Sequence, residues 1–180
     1  YRDPPRSIFV SPVSTCYNYS IFADSILYPL KSNMKSGTFL AFDLGASGGR
    51  GIAGTLKDRI LTTDEVCRFD NAMIRVLGTC CWDILMLYTA VVKGMTRAGA
   101  KGLSPESVGI DTWGVDYGLL DAFGNLLGNP YSYRDHRTDT AIDEFSVRVP
   151  LRRIYQLTGI HFMQCNTLFQ LHAAKRDRQP

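Results

Sequence analysis

The sequence predicts an α/β domain. Two apolar, strand-like runs, Thr38–Phe42 and Gly51–Thr55, flank a glycine-rich turn, "LGASGGR". Ile60–Phe69 offers a further strand, and an amphipathic stretch, Trp82–Gly99, then leads into an alternating run, Ser107–Trp113. Hairpin strands followed by a helical crossover to another strand form an α/β unit.

Each element has a local reason. In Trp82–Gly99, Ile84, Leu87, Tyr88, Val91, Val92 and Met95 recur at helical spacing and predict the buried face. Asp83 can cap its start and glycines close it. Val108, Ile110 and Thr112 alternate as a strand does. Leu119–Leu120 and Leu126–Leu127 flank "DAFGN", a hairpin turn. A helix is expected from about Asp139 to Val149; Pro150 opens the next and Gly159 ends it. "NTLFQLHAAKRD" places Leu168, Leu171 and Ala174 on one side of a last helix.

Composition narrows the class. The chain has 180 residues, 45% hydrophobic and 21% charged, which suits one globular domain or part of a larger protein. Net charge is +3 and no long basic block occurs, so nucleic acid is not favoured as a partner. Lys175, Arg176 and Arg178 read as a solvated helix end. Five cysteines, at 16, 67, 80, 81 and 165, make an odd count without a CxxC pair. That argues for reduced thiols in a cytoplasmic protein, against a disulfide framework or a zinc site. No apolar run reaches transmembrane length, and no membrane partner is expected. Residues 1–33 mix prolines, serines and aromatics without a period or a secretory pattern. They read as an extension foreign to the fold and poorly ordered; the "NYS" sequon at Asn18 reads as chance. Met34 then opens the domain, taken as residues 34–180.

The stretch "FLAFDLGASGGRGIAG" places one acid, Asp43, between a strand and a cluster of glycines. Neither GxxxxGK[ST] nor GxGxxG is present, and a strand rather than a helix follows the glycines. A glycine-rich β-turn-β can aim backbone amides at a terminal phosphate while the acid holds hydrated Mg²⁺. A plain hairpin with an incidental acid is the competing reading, and the turn alone does not decide between them. A second stretch, Val108 to Asp139, concentrates Asp111, Trp113, Asp116, Tyr133, Arg134, Asp135 and Arg137. Acceptors, donors and an aromatic face together are what a sugar needs. A solvated loop with a core tryptophan explains any one of them, but hardly the whole collection.

"FDLGASGGR", "GIDTWGVDYGLLD", "YSYRDHRTD" and "IYQLTGIHFMQCNTLFQL" resemble the N-terminal part of the FGGY carbohydrate kinases, almost without a break from Phe39 to about Ala174. "GIDTWGVDY" with "YRDHRT" resembles the subgroup acting on L-rhamnulose more than glycerol or xylulose kinases. The resemblance implies an actin-like ATPase (ribonuclease H-like) domain, here part of the N-terminal one of two around a cleft. It implies transfer of the ATP γ-phosphate to the C1 hydroxyl of L-rhamnulose, with Mg²⁺, in L-rhamnose catabolism. Carried over, Ala46, Ser47, Gly48, Gly49 and Arg50 match the ATP-phosphate turn and Asp43 the metal-associated acid. Gly114, after Trp113, matches a sugar-contact position. Asp116, Arg134 and Asp135, with Trp113, are sugar-site candidates mainly by their chemistry. His136, His161 and His172 read as surface or packing residues.

The departures from the family pattern also carry expectations. The family's catalytic aspartate lies in a "HDT"-like segment, which does not occur here, so the base is expected beyond residue 180 and no catalytic residue in this chain. The adenine-binding domain is absent too, so the chain is expected to be truncated and inactive alone. "GTCCW" at Gly78–Trp82 replaces a more polar or aromatic stretch, and its adjacent cysteines read as packing variation. The alternatives are another FGGY kinase, such as one acting on L-fuculose, and a non-enzymatic sugar- or nucleotide-binding remnant. Oligomeric state is not read from the sequence.

Overall fold

Alternating burial sets in with the first strand of the computed structural model, which describes residues 36–177. The expectations for residues 1–33 and for Met34 lie outside the described residues. Those described fall into two compact units, one of residues 36–72 and 85–114, the other of 73–84 and 115–177.

The first unit is a four-stranded sheet with a helix on one face. Its strands are β1 (Gly37–Leu44), β2 (Gly48–Lys57), β3 (Ile60–Asp70) and β6 (Ser107–Thr112), in the order β3-β2-β1-β6. β1–β2 and β2–β3 are antiparallel hairpins and β1–β6 is parallel, as hairpin-then-crossover patterning requires. Each predicted strand is present, β1 running two residues further than expected and so including Asp43. Helix α1 (Ile84–Ala100) covers the face carrying Leu40, Phe42, Ala53, Val66 and Cys67. A bulge lets two successive residues of β3, Val66 and Cys67, both be buried.

The buried stripe of α1 differs from the expected one. Leu87, Val91, Gly94 and Ala98 are buried, whereas Tyr88, Val92 and Met95 are exposed. The helix approaches the sheet through its small residues: a Cβ on Gly94 would lie 2.5 Å from Phe42 Cε1 and 2.8 Å from Cys67 Sγ. The helix ends as its glycines foretell. Gly102 is left-handed at φ 76°, its N–H bonds to the Gly99 carbonyl and that of Leu103 to Ala98, a Schellman closure.

The second unit has two short antiparallel strands, β4 (Ile74–Val76) and β5 (Thr79–Cys81), and three helices. Leu77 and Gly78 turn that hairpin with positive φ. Residues 130–132 extend it, with Trp82 N–H bonding to the Pro130 carbonyl and Ser132 N–H to Cys80. The "DAFGN" turn is present, its Asp121 carboxylate accepting from the Phe123 and Asn125 amides. A 3-10 turn (His136–Thr138) precedes α2, which spans only Ala141–Ser146, shorter than expected. Pro150 caps α3 (Leu151–Thr158), and Gly159, left-handed at φ 67°, ends it. In α4 (Thr167–Arg176) the buried residues are Phe169, Gln170, Ala173 and Ala174. Leu168, expected inside, is 38% exposed because Phe169 takes the core against Phe145.

The cysteines at 67, 80, 81 and 165 are free thiols. Burial pushes the Cys81 thiol up, away from reactivity, in keeping with packing roles for the pair at 80 and 81. No helix among the described residues is long and apolar enough to cross a membrane.

Candidate active site

The β1–β2 turn is tighter than the glycine run suggests. Leu44 already pairs with Gly49, so only Gly45 to Gly48 turn the chain, closed by the Gly45 N–H on the Gly48 carbonyl at 2.9 Å. The turn glycines are not among the left-handed ones. At Gly49 a Cβ would collide with the Phe69 ring and sit 3.2 Å from the Asp43 carbonyl. This glycine is required by the protein's own packing.

Strand register builds a charged row across the sheet on the face opposite α1. Asp111 pairs with Asp43, Asp43 with Arg50, and Arg50 with Arg68. Two acids therefore adjoin two guanidinium groups, and Arg50 bridges to Asp43 at 3.1 Å. Arg68 bonds to Glu65 and holds that carboxyl below its usual range. A cavity of about 300 Å³ lies beside the turn, bounded by Asp43, Ser47, Gly48, Arg50 and Asp70. The phosphate-turn residues and the metal-associated acid expected from sequence thus come together in one place. Phe69, Asp70 and Asn71, at the end of β3, were not anticipated. Their sequence signal is that "RFDN" lies at the end of the strand expected over Ile60–Phe69.

The donor set near Asp43 speaks to the metal. No group of three or more His, Cys, Asp or Glu residues able to hold an ion occurs among the described residues. A protein-made cage is not what this site offers. Asp43 and Asp70 are the exposed carboxylates bounding the cavity, and so sparse a set suits Mg²⁺, which keeps waters and takes substrate phosphates as its other ligands.

The sugar candidates divide between the units. Trp113 and Gly114 follow β6 in the first. Asp116, Arg134 and Asp135 belong to the second. Asp116 accepts from Trp82 Nε1 at 2.5 Å and from Gln170 Nε2 at 3.2 Å. Gln170, 1% exposed, also donates to the Val115 and Cys165 carbonyls and accepts from Arg137. Asp135, 6% exposed, accepts from the Cys80 and Arg137 amides and so caps the 3-10 turn. Arg134 is exposed, its Nε on the Tyr133 hydroxyl at 3.0 Å. Histidines behave as expected of surface or packing residues. His136 pairs with Asp139, His161 stacks on Phe162, and His172 meets Phe145 and Glu144.

Comparison with known proteins decides the lineage. No family model matches the chain. It is 44% identical over 139 residues to the rhamnulokinase of Bacteroides thetaiotaomicron, covering 77% of this chain and 29% of that protein. It is 45% identical over 136 residues to the rhamnulokinase of Oceanobacillus iheyensis, covering 76% and 29%. The chain is a homologue of the rhamnulokinases, FGGY sugar kinases. It spans about 29% of the length of these curated relatives. Among solved structures, the gluconate kinase of Lactobacillus acidophilus superposes with TM-score 0.67 at 14% identity, over 80% of this chain and 29% of that one. The glycerol kinase of Plasmodium falciparum, solved with ADP, superposes with TM-score 0.61 at 16% identity, over 79% and 29%. The fold is therefore the α/β fold of part of an actin-like ATPase, as the sequence motifs imply.

Proposed function

We propose that this chain is part of an ATP-dependent sugar kinase that phosphorylates L-rhamnulose at its C1 hydroxyl. The observation that carries the reading is the 44% identity to a rhamnulokinase across the residues that build the turn and the charged row. ATP as donor fits the kinase relatives and the ADP held by the glycerol kinase neighbour. Ala46, Ser47, Gly48, Gly49 and Arg50 would receive the terminal phosphates, the turn through backbone N–H groups and Arg50 through its guanidinium. Asp43 would stand against Mg²⁺ or its water, and Mg²⁺ would neutralise phosphate charge. Trp113, Gly114, Asp116, Arg134 and Asp135 would serve the sugar, with Asp116 and Asp135 keeping lone pairs beyond those given to protein donors. No general base or adenine pocket is assigned among the described residues.

The test is a hybrid in which residues 36–177 replace the matching segment of the Bacteroides thetaiotaomicron enzyme. Coupled ADP release is measured with L-rhamnulose, L-fuculose and glycerol. The expected result is turnover with L-rhamnulose, lowered on the order of a hundredfold by Asp43→Ala. A folded hybrid that prefers another sugar overturns the substrate. A hybrid indifferent to Asp43→Ala overturns the metal role.

A further inference from the structure

Asn71 is the most deeply buried polar residue near the turn, 2% exposed, and it lies just past the end of β3. Its side-chain Nδ2 donates to the Gly45 carbonyl at 2.8 Å, and its backbone N–H donates to the Ser47 carbonyl at 3.3 Å. One residue thus grips the turn at two carbonyls. We propose that Asn71 is the positioning residue of the phosphate turn, setting the direction in which the Ala46 and Gly48 amides point.

The geometry of the peptide plane sets that direction. In a trans peptide, the C=O of one residue and the N–H of the next point in opposite directions. Drawing the Gly45 carbonyl onto Asn71 therefore turns the Ala46 N–H away from Asn71. Drawing the Ser47 carbonyl there turns the Gly48 N–H away as well. Two donors separated by one residue are then fixed to face outward, before any phosphate arrives, and fixed donors need no reorganisation when charge appears. The third turn carbonyl, Gly48, is held by the Gly45 N–H and cannot swing to compete.

The other end of the side chain bears on the same point. Asn71 Oδ1 is buried with no hydrogen-bond partner among the described residues. Flipping the amide would set two oxygens against each other at Gly45, so the bond to the turn fixes the orientation. A residue chosen for filling space alone would not carry a buried acceptor at that cost. A leucine would fill much the same volume without it.

This assignment rests on reading the turn as a phosphate site, and the experiment separates the two. The 180-residue chain, labelled with ¹⁵N, is titrated with Mg²⁺-tripolyphosphate while amide shifts are followed, for wild type, Asn71→Ala and Asn71→Asp. Asn71→Asp keeps the volume but sets an oxygen against the Gly45 carbonyl, so it carries the test if the alanine variant does not fold. Melting curves of each variant give the folded fraction used to correct its affinity. In the wild type, the Ala46 and Gly48 amides should move most. In the variants the corrected affinity should fall by roughly three- to tenfold, the effect of one lost hydrogen bond. Unmoved Ala46 and Gly48 amides in the wild type overturn the phosphate reading and this assignment with it. Wild-type shifts that persist at equal corrected affinity in both variants leave the phosphate reading standing and overturn the role of Asn71.

Discussion

Replacing Gly94 by alanine sets two effects of opposite sign against each other at one atom. In an open helix interior the change stabilises by about 1 kcal/mol, because alanine has the better helix propensity. In α1 the added methyl would lie 2.5 Å from Phe42 Cε1, 2.8 Å from Cys67 Sγ and 2.9 Å from Phe42 Cζ. Such distances require the Phe42 ring, itself 1% exposed, to move within a filled core. Overpacking of this kind costs about 1–3 kcal/mol, so the net change should be a loss of roughly 1 kcal/mol. Gly99 lies in the same helix, and a Cβ there meets nothing within 4 Å. Gly99→Ala should gain up to about 1 kcal/mol, less for its place in the last turn. Thermal melts followed by circular dichroism should therefore move by a few degrees in opposite directions for the two variants. If Gly94→Ala melts at or above wild type while Gly99→Ala rises, the close approach of α1 to the sheet through Gly94 is wrong.

Two further outcomes follow from turn and charge geometry. Asp58 and Arg59 turn the β2–β3 hairpin with φ of 50° and 65°. Arg59→Gly should then raise stability by about 1 kcal/mol in urea unfolding, since a left-handed conformation suits glycine and costs other residues that much. The Thr140 hydroxyl and Arg176 hold the Glu144 carboxyl below its ordinary 4.5. Because the folded-state value is the lower one, this stabilisation is complete above pH ~4.5 and is lost as pH falls through the folded-state value. Glu144→Gln should flatten the fall in melting temperature below that pH, and an unchanged acid limb would show that the cluster contributes nothing.

Sequence periodicity located β1, β2, β3, β6 and the longer helices because each has a local signature, whereas the three-residue strands β4 and β5 are too short to carry one. It mistook the faces where small residues do the packing. In α1, Leu87 and Val91 were on the expected face, but the stripe continues through Gly94 and Ala98 rather than through Tyr88, Val92 and Met95. Glycine and alanine carry little hydrophobic signal, so a pattern of large apolar residues points beside the true contact. The choice is made by Phe42 and Cys67, some fifty and twenty-seven residues earlier in the chain respectively, roughly counted, and no local window contains them. The turn shows the same limit. Its residues were legible from "DLGASGGR", whereas Phe69 on Gly49 and Asn71 on Gly45 are products of strand pairing.

The second acidic stretch carries a different lesson, about what a chemical inventory can establish. Val108–Asp139 gathers the acceptors, donors and aromatics that a sugar site needs. In the second unit much of that chemistry is already engaged within the protein. Trp82 and Gln170 hold the two oxygens of Asp116, while Cys80 and Arg137 amides hold those of Asp135. Arg137 lies over the Tyr131 ring at 4.0 Å and reaches Gln170. Buried polar groups need partners, so a dense polar motif satisfies itself first and a ligand second. A carboxylate can accept about four bonds, which leaves Asp116 and Asp135 able to do both. Their value to a sugar would then be orientation: oxygens fixed by the protein meet a hydroxyl without first having to be ordered.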